Sequence, residues 1–520
     1  MRRVLVSALI LPLVGCSDFP GSEDGLPPDL TPANALAVVR VASPDDLSGE
    51  LGDLGAPPAS SLLPLLGVMS PAGVDTERPW FLVWAEDTED AESPAILLPL
   101  SDRGAFEEAM EISPSGYTTS FRGDHVLLAK GPLPEMGRNS VYQGFSGDIE
   151  AHVDLAALRE AYAEEIQLAR DSLQGTMEAG LQAAPRTSTP GLDPAALGEV
   201  VQAELDLAFD ILEQSEVLGF SLDLEEGRLD WSARWSLEEG TPWGNLVSDQ
   251  EPTAPSGLGR VNLERPVVFW TNHDLSGNQE LLSPFFEAMS GFMRGLDPGV
   301  LSQLVGQRME GVMSMGWGPS GLEMEAVYTL PSLQISEYRD LVREQVTSME
   351  FAADGIEFEY RQNVGEIGGM EVDLLIQEIQ APGVEGIPFP MERMEVYYGW
   401  GEEEILTVMA SGDESAGMES LRSLFFRQPG PLPDHVRSYL DRSPEELLMV
   451  GWLDMGGLME GVAAMSPGAP DAPVPEGLPP MIFYATSEGP EIAYGGSMDI
   501  KALAEAASAV AGAALGGGRP

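Results

Sequence analysis

Between Leu218 and Leu237 apolar residues fall on every second position, twice over. Leu218, Phe220, Leu222 and Leu224 alternate with other residues, Glu226-Gly227 reverses the chain, and Leu229, Trp231, Ala233, Trp235 and Leu237 alternate back. A period of two lines one face of a pleated strand, so this stretch reads as an antiparallel hairpin with one buried face. The chain just before it has a period of three to four. Leu155, Leu158, Tyr162, Ile166, Ala169 and Leu173 line one helical face, and Leu197, Val201, Leu205, Ala208 and Leu212 line another. Asp193-Pro194 opens the second helix, an N-cap followed by Pro. Residues 149–153 read as a strand ahead of both helices, with Asp154 as N-cap.

The same plan recurs: strand, Asp, one or two helices, hairpin. The first copy has a strand at 36–41, Asp46, helices after it and at 62–69, and strands at 80–84 and 95–100. Asp102 then caps a helix, and strands follow at 117–121 and 126–129. The third copy has a strand at 267–270, Asp274 and helices at 279–295 and 298–309, split by Asp297-Pro298. Its hairpin sets Met313, Met315 and Trp317 against Leu322, Met324, Ala326 and Tyr328. A helix at 335–348, four strands between 356 and 410 and a helix at 417–426 follow. The fourth copy has a strand at 447–452, Asp454, a helix at 458–465 and strands at 481–485 and 492–498, with an Ala-rich helix from Lys501. Residues 249–259 (DQEPTAPSGLG) have the composition of a linker. The expected fold is α+β: antiparallel sheets from repeated strand–helix(–helix)–hairpin units, helices packed on one face, in two similar halves at 34–250 and 260–517. The recurrent Asp reads as a helix cap rather than a ligand.

The N-terminal stretch carries a different message. Arg2 and Arg3 precede an apolar run from Val4 to Val14, too short for the roughly 20 residues a membrane-spanning helix needs. It ends in Leu13-Val14-Gly15-Cys16, which resembles the lipobox of bacterial lipoproteins. The resemblance implies a signal peptide at 1–15, cleavage between Gly15 and Cys16, and acylation of Cys16, which would then hold the protein on a lipid bilayer. Under the sorting rule known for enterobacteria, Ser17 after the cysteine, in place of Asp, implies the outer membrane, facing periplasm or exterior. Cys16 is the single cysteine in 520 residues, so no intramolecular disulfide or multi-cysteine metal site is available. Residues 16–33, rich in Pro, Gly and acid, read as a tether.

Charge narrows the partners. The chain carries 27 basic and 84 acidic side chains, net −57. Phosphate recognition needs clustered Lys and Arg, so nucleic acid is not an expected partner. Only Lys130 and Lys501 are lysines, and attachment to an anionic leaflet by charge is not expected either.

Motifs for chemistry are sparse. His125, His152, His273 and His435 are not at metal-ligand spacing. Residues 316–321 match G-x-G-x-x-G but fall in a hairpin turn and lead into a strand, against a dinucleotide site. Carboxylate pairs are too abundant to single out a hydrolase. Methionine is the oddity: of 23, five precede residue 260. Met289/Met293 and Met455/Met459 are four apart on expected helices, and Met313/Met315 share a strand face. Three readings stand: flexible core filler, an apolar ligand cavity, or a thioether site for Cu(I). The candidate ligand-binding set is Met289, Met293, Met313, Met315, Trp317 and Met324. No cofactor is expected. The sequence points to a non-enzymatic, membrane-anchored envelope lipoprotein that binds an envelope protein or is structural. A carrier or sensor of an apolar ligand in the Met-rich half comes second, and a hydrolase using acidic residues third.

Overall fold

The computed structural model describes residues 34–52, 72–85, 94–112, 116–131, 147–183, 194–292, 297–318, 321–330, 335–348, 356–379, 393–410, 414–441, 443–465 and 478–504, with a few isolated positions between. The fold is α+β, and its strand pairs are antiparallel. The chain divides into two compact units. Unit 1 is residues 1–164, 213–238 and 491–507; unit 2 is 165–212, 239–490 and 508–520.

Unit 1 holds β1 (Ala35–Val41), β2 (Trp80–Ala85), β3 (Ala95–Pro99), β4 (Thr118–Arg122), β5 (His125–Ala129), β6 (Ile149–Asp154), β7 (Ser215–Glu225), β8 (Arg228–Leu237) and the last of the described strands, β18 (Glu491–Asp499). Their order is β4-β5-β3-β2-β1-β6-β7-β8-β18. Strand β3 is buried at every position. Ala95 and Leu97 pack with Phe81, Val83 and Leu127, while Ile96 and Leu98 pack with Phe106, Val126 and Leu128. Alternate residues point to opposite faces, so the uninterrupted apolar run of β3 builds two cores.

The described helices of unit 1 include α1 (Pro44–Gly52), α2 (Arg103–Ile112) and α3 (Leu155–Ala161). Asp154 caps α3 by accepting from the Ala157 amide at 2.8 Å, and Asp102 caps α2 through Ala105 at 3.0 Å. Asp46 is not a cap: it lies inside α1, and its amide donates to Ser43 Oγ at 3.3 Å. The helix expected to run from Leu155 through Leu173 breaks at Tyr162, where φ is −125° and ψ 30°.

Unit 2 holds α4 (Ala163–Ala183), α5 (Pro194–Glu213), α6 (Pro242–Ser248), α7 (Gln279–Phe292), α8 (Pro298–Val305), α9 (Ile335–Ser348), α10 (Glu414–Phe426), α11 (Asp434–Leu440) and α12 (Met455–Met465). Its strands are β9 (Val267–Asp274), β10 (Arg308–Gly318), β11 (Gly321–Thr329), β12 (Ile356–Ile367), β13 (Met370–Ile379), β14 (Arg393–Trp400), β15 (Ile405–Ala410), β16 (Met449–Leu453) and β17 (Met481–Glu488). Their order is β12-β13-β14-β15-β11-β10-β9-β16-β17. The main core gathers Val268, Trp270, Val312, Val372, Leu374, Ile376, Tyr397 and Leu406 with Leu421 and Leu424 of α10.

Four expectations change here. Helices do not keep to one face: α10 covers the Val372–Leu374–Ile376 side, while α9 packs Ile335, Tyr338 and Val342 against Trp400 and Tyr398 on the other. Both sides of β14 are apolar, so both need cover. Residues 249–259 are not a free linker, because Thr253 pairs with Leu447 and Asn272 Nδ2 donates to the Glu251 carbonyl at 2.7 Å. Asp274 accepts from the Ser276 amide at 2.9 Å, a turn contact, and α7 starts only at Gln279. The helix expected at 298–309 ends at Val305, because Arg308 already begins β10. Asp297 does cap α8, accepting from Gly299 at 2.8 Å and Val300 at 3.2 Å.

Candidate functional site

The alternation in β10 separates two environments. Val312 and Ser314 are fully buried, and Val312 belongs to the main core. Met313, Met315 and Trp317 therefore point to the opposite face, where each is half-buried. Directly opposed residues of an antiparallel sheet share a face, which turns the register into a map of that surface. One row reads Val267, Met315, Met324, Met409, Val396 and Leu375 across six strands. The adjacent row reads Phe269, Met313, Ala326, Thr407, Tyr398 and Asp373.

Four residues of the sequence-derived set thus meet on one surface: Met313, Met315, Trp317 and Met324. Trp317 packs against α12, where a Cβ on Gly461 would sit 2.3 Å from its ring. Glycine is required there by close approach, not by turn geometry. Met289 lies on α7, with its side chain outside the described positions, and Met293 lies outside the described residues. Met409 was not in the sequence-derived set. Its own strand is legible, but its place opposite Met324 depends on β15 pairing with β11, some 80 residues away in the chain.

The second row ends in an aromatic and charged group. Tyr398 stacks on Trp400 with centroids 5.6 Å apart. Burial pushes the Tyr398 hydroxyl up to about 12, helped by Tyr338 and Tyr328. Burial likewise raises Tyr328 and Tyr338, so these tyrosines are neutral apolar surface with a polar tip.

Asp373 is fully buried. It accepts from Arg339 at 2.9 and 3.1 Å and from Arg343 at 3.0 and 3.2 Å. Tyr360 OH (2.7 Å), the Asn363 amide (2.9 Å) and Trp400 Nε1 (3.0 Å) complete the set. Burial alone would raise this carboxyl. The hydrogen bonds from Arg339, Arg343, Asn363 and Tyr360 outweigh it and hold the group far below the usual carboxylate range. Arg339 and Arg343 are one helical turn apart on α9, so the nest clamps that helix to the sheet.

The histidines are dispersed. Burial pushes His152 down to about 4, with Arg234 adding to the effect. Burial also lowers His125 and His273, although Asp124 and Asp274 respectively oppose it. His125 Nδ1 lies 2.9 Å from Asp124, and Arg78 faces its Nε2 at 3.4 Å, so neither nitrogen is open to a substrate proton. Among the described residues no group of three or more His, Cys, Asp or Glu is placed to hold a metal ion. Residues 316–318 and 321 of the G-x-G-x-x-G stretch end β10 and begin β11.

No family model matches this chain, and no curated protein does. Among solved structures, crystal forms III and IV of TP0453 are similar at 14% and 13% identity, covering 50% and 51% of this chain and 98% and 99% of that one, each at a TM-score of 0.24. A likeness this low transfers neither fold nor function.

Proposed function

We propose that this protein is a lipid-anchored, non-enzymatic module of the bacterial cell envelope, acting as a binding or structural element on the outer membrane. The observation that carries the reading is Leu13-Val14-Gly15-Cys16, a lipobox-like end to a short apolar run at the chain's single cysteine. With two or three acyl chains on Cys16, anchoring is stable where one chain gives only marginal binding. Residues 17–33 then serve as the spacer to the folded chain. Expression of Cys16→Ser in a lipoprotein-processing host should move the protein from the membrane pellet to the soluble fraction and abolish palmitate labelling. Continued labelling and sedimentation of the variant would refute the anchor.

The strand plan supports a duplicated origin for the two units. Starting from β1 and β9, the neighbours run β2-β3-β5-β4 and β10-β11-β15-β14 on one side, and β6 and β16 on the other. Unit 2 adds the hairpin β12–β13 beyond that common order.

A second reading, a carrier of an apolar ligand, is favoured by the row in which half-buried Met315 and Met324 continue to buried Met409. Thioethers adapt to varied apolar shapes, which suits a surface that must accept a chain or ring. Native mass spectrometry of protein purified without detergent should then show a bound lipid-sized species that Met315→Glu removes. A bare protein mass counts against the carrier.

A further inference from the structure

Helices α4, α5 and α7 of unit 2 border a cleft of ≈ 560 Å³, within the range of small-ligand sites. Its half-buried apolar lining comes from a different helix each time: Met177, Ala203 and Ala288. Of the acidic residues in its lining, Glu199 and Glu287 are exposed and Asp206 is half-buried. Burial disfavours the ionised form of Asp206, but hydrogen bonds from Gln202 at 3.0 Å and Arg170 at 2.7 Å hold its carboxyl below the ordinary range. Arg170 is committed to that ion pair and to the face of Phe209, 5.1 Å away. Pro284, also in the lining, lies inside α7 and has no N–H to give the carbonyl of Glu280.

Among the described residues, the charged groups lining the cleft are carboxylates, over an apolar interior. An anion is repelled by Glu199 and Glu287, and a neutral apolar molecule gains nothing from them. An ammonium head gains from both, while its hydrocarbon part fills the space beside Met177, Ala203 and Ala288. We propose that this cleft binds a small organic ammonium ion with a short apolar body. The site is separate from the methionine row and does not depend on Cys16 acylation.

Calorimetric titration of the full chain with octylammonium, octanol and octanoate tests it, at an ionic strength of about 0.15 M so that distant charges are screened. Octylammonium should bind saturably at one site, octanol about tenfold more weakly, and octanoate not at all. Glu199→Gln with Glu287→Gln changes exposed side chains only and should weaken octylammonium about threefold to tenfold. Ala203→Trp fills the cleft without altering net charge and should abolish binding, with the circular dichroism spectrum unchanged. Undiminished octylammonium binding in the double glutamine variant, or in a folded Ala203→Trp, would show general attraction to an acidic surface and overturn the site. Equal affinity for octanol, or no binding to the unaltered chain, would overturn it too.

Discussion

Asp373 shows what this chain does with a buried charge. A carboxylate removed from water is costly unless its lone pairs are filled and its charge balanced, and here two arginines, a phenol, an indole and a backbone amide do both. Asp373→Asn leaves Arg339 and Arg343 without their buried counter-charge. The variant should lose about 3–5 kcal/mol at neutral pH in urea unfolding followed by tryptophan fluorescence. The sign of the pH dependence follows from the depressed native value. The contribution is complete above the unfolded carboxylate range near 3.9 and is lost as pH falls toward the native value, so the gap between protein and variant should narrow only below about pH 4. In the sequence, Arg339 and Arg343 are visible as an i, i+4 pair on an expected helix. Their shared partner is 30 or more residues away across two strands, and one acidic residue among 84 carries no mark of burial.

At the level of elements, β18 is the instructive case. Its alternation is legible, but its pairing is not: Glu491 to Asp499 run against Ser236 to Arg228 of β8. Arg234 pairs with Glu491 at 2.9 Å, Gly496 lies against Trp231 so closely that a Cβ would meet the ring at 2.1 Å, and the Gly227 carbonyl accepts from the Ile500 amide at 3.0 Å. Unit 1 therefore completes its sheet with residues from the far end of the chain. Deleting residues 491–520 should strip hydrogen-exchange protection from β8 and expose the buried Trp231, while β9 and β10 stay protected. Unchanged protection of β8 would show that β18 adds nothing. The β10–β11 hairpin is the opposite case: a two-residue interruption joins its strands, so register and face follow from local pattern alone.

For the whole molecule the scarcity of bases is decisive. With 27 basic against 84 acidic side chains, bases are scarce, and several arginines serve buried carboxylates. Glu325 takes Arg427 at 2.5 Å and Arg265 at 3.5 Å, and Glu395 takes Arg393 at 2.7 Å. Glu325 and Glu395 are both buried. Apart from Asp373 and Glu150, the other described carboxylates lie exposed or half-buried, where salt screens their mutual repulsion. Charge thus speaks against nucleic acid as a partner and leaves the proposed acyl chains of Cys16 as the route to a membrane.

Local periodicity determined much of this protein from the sequence alone: the α+β class with its antiparallel strands, the caps at Asp102, Asp154 and Asp297, and the shared face of Met313, Met315 and Trp317. These depend on neighbours a few residues apart, whose energies do not wait for the rest of the chain. Tertiary structure decided which strand edges meet, that β13 and β14 are covered on both faces, that Met409 joins Met315 and Met324, and that α4, α5 and α7 frame a cleft. Each of those rests on contacts between segments tens to hundreds of residues apart. The choice among partners of equal periodicity is made there by burial and charge pairing, and local pattern is silent about it.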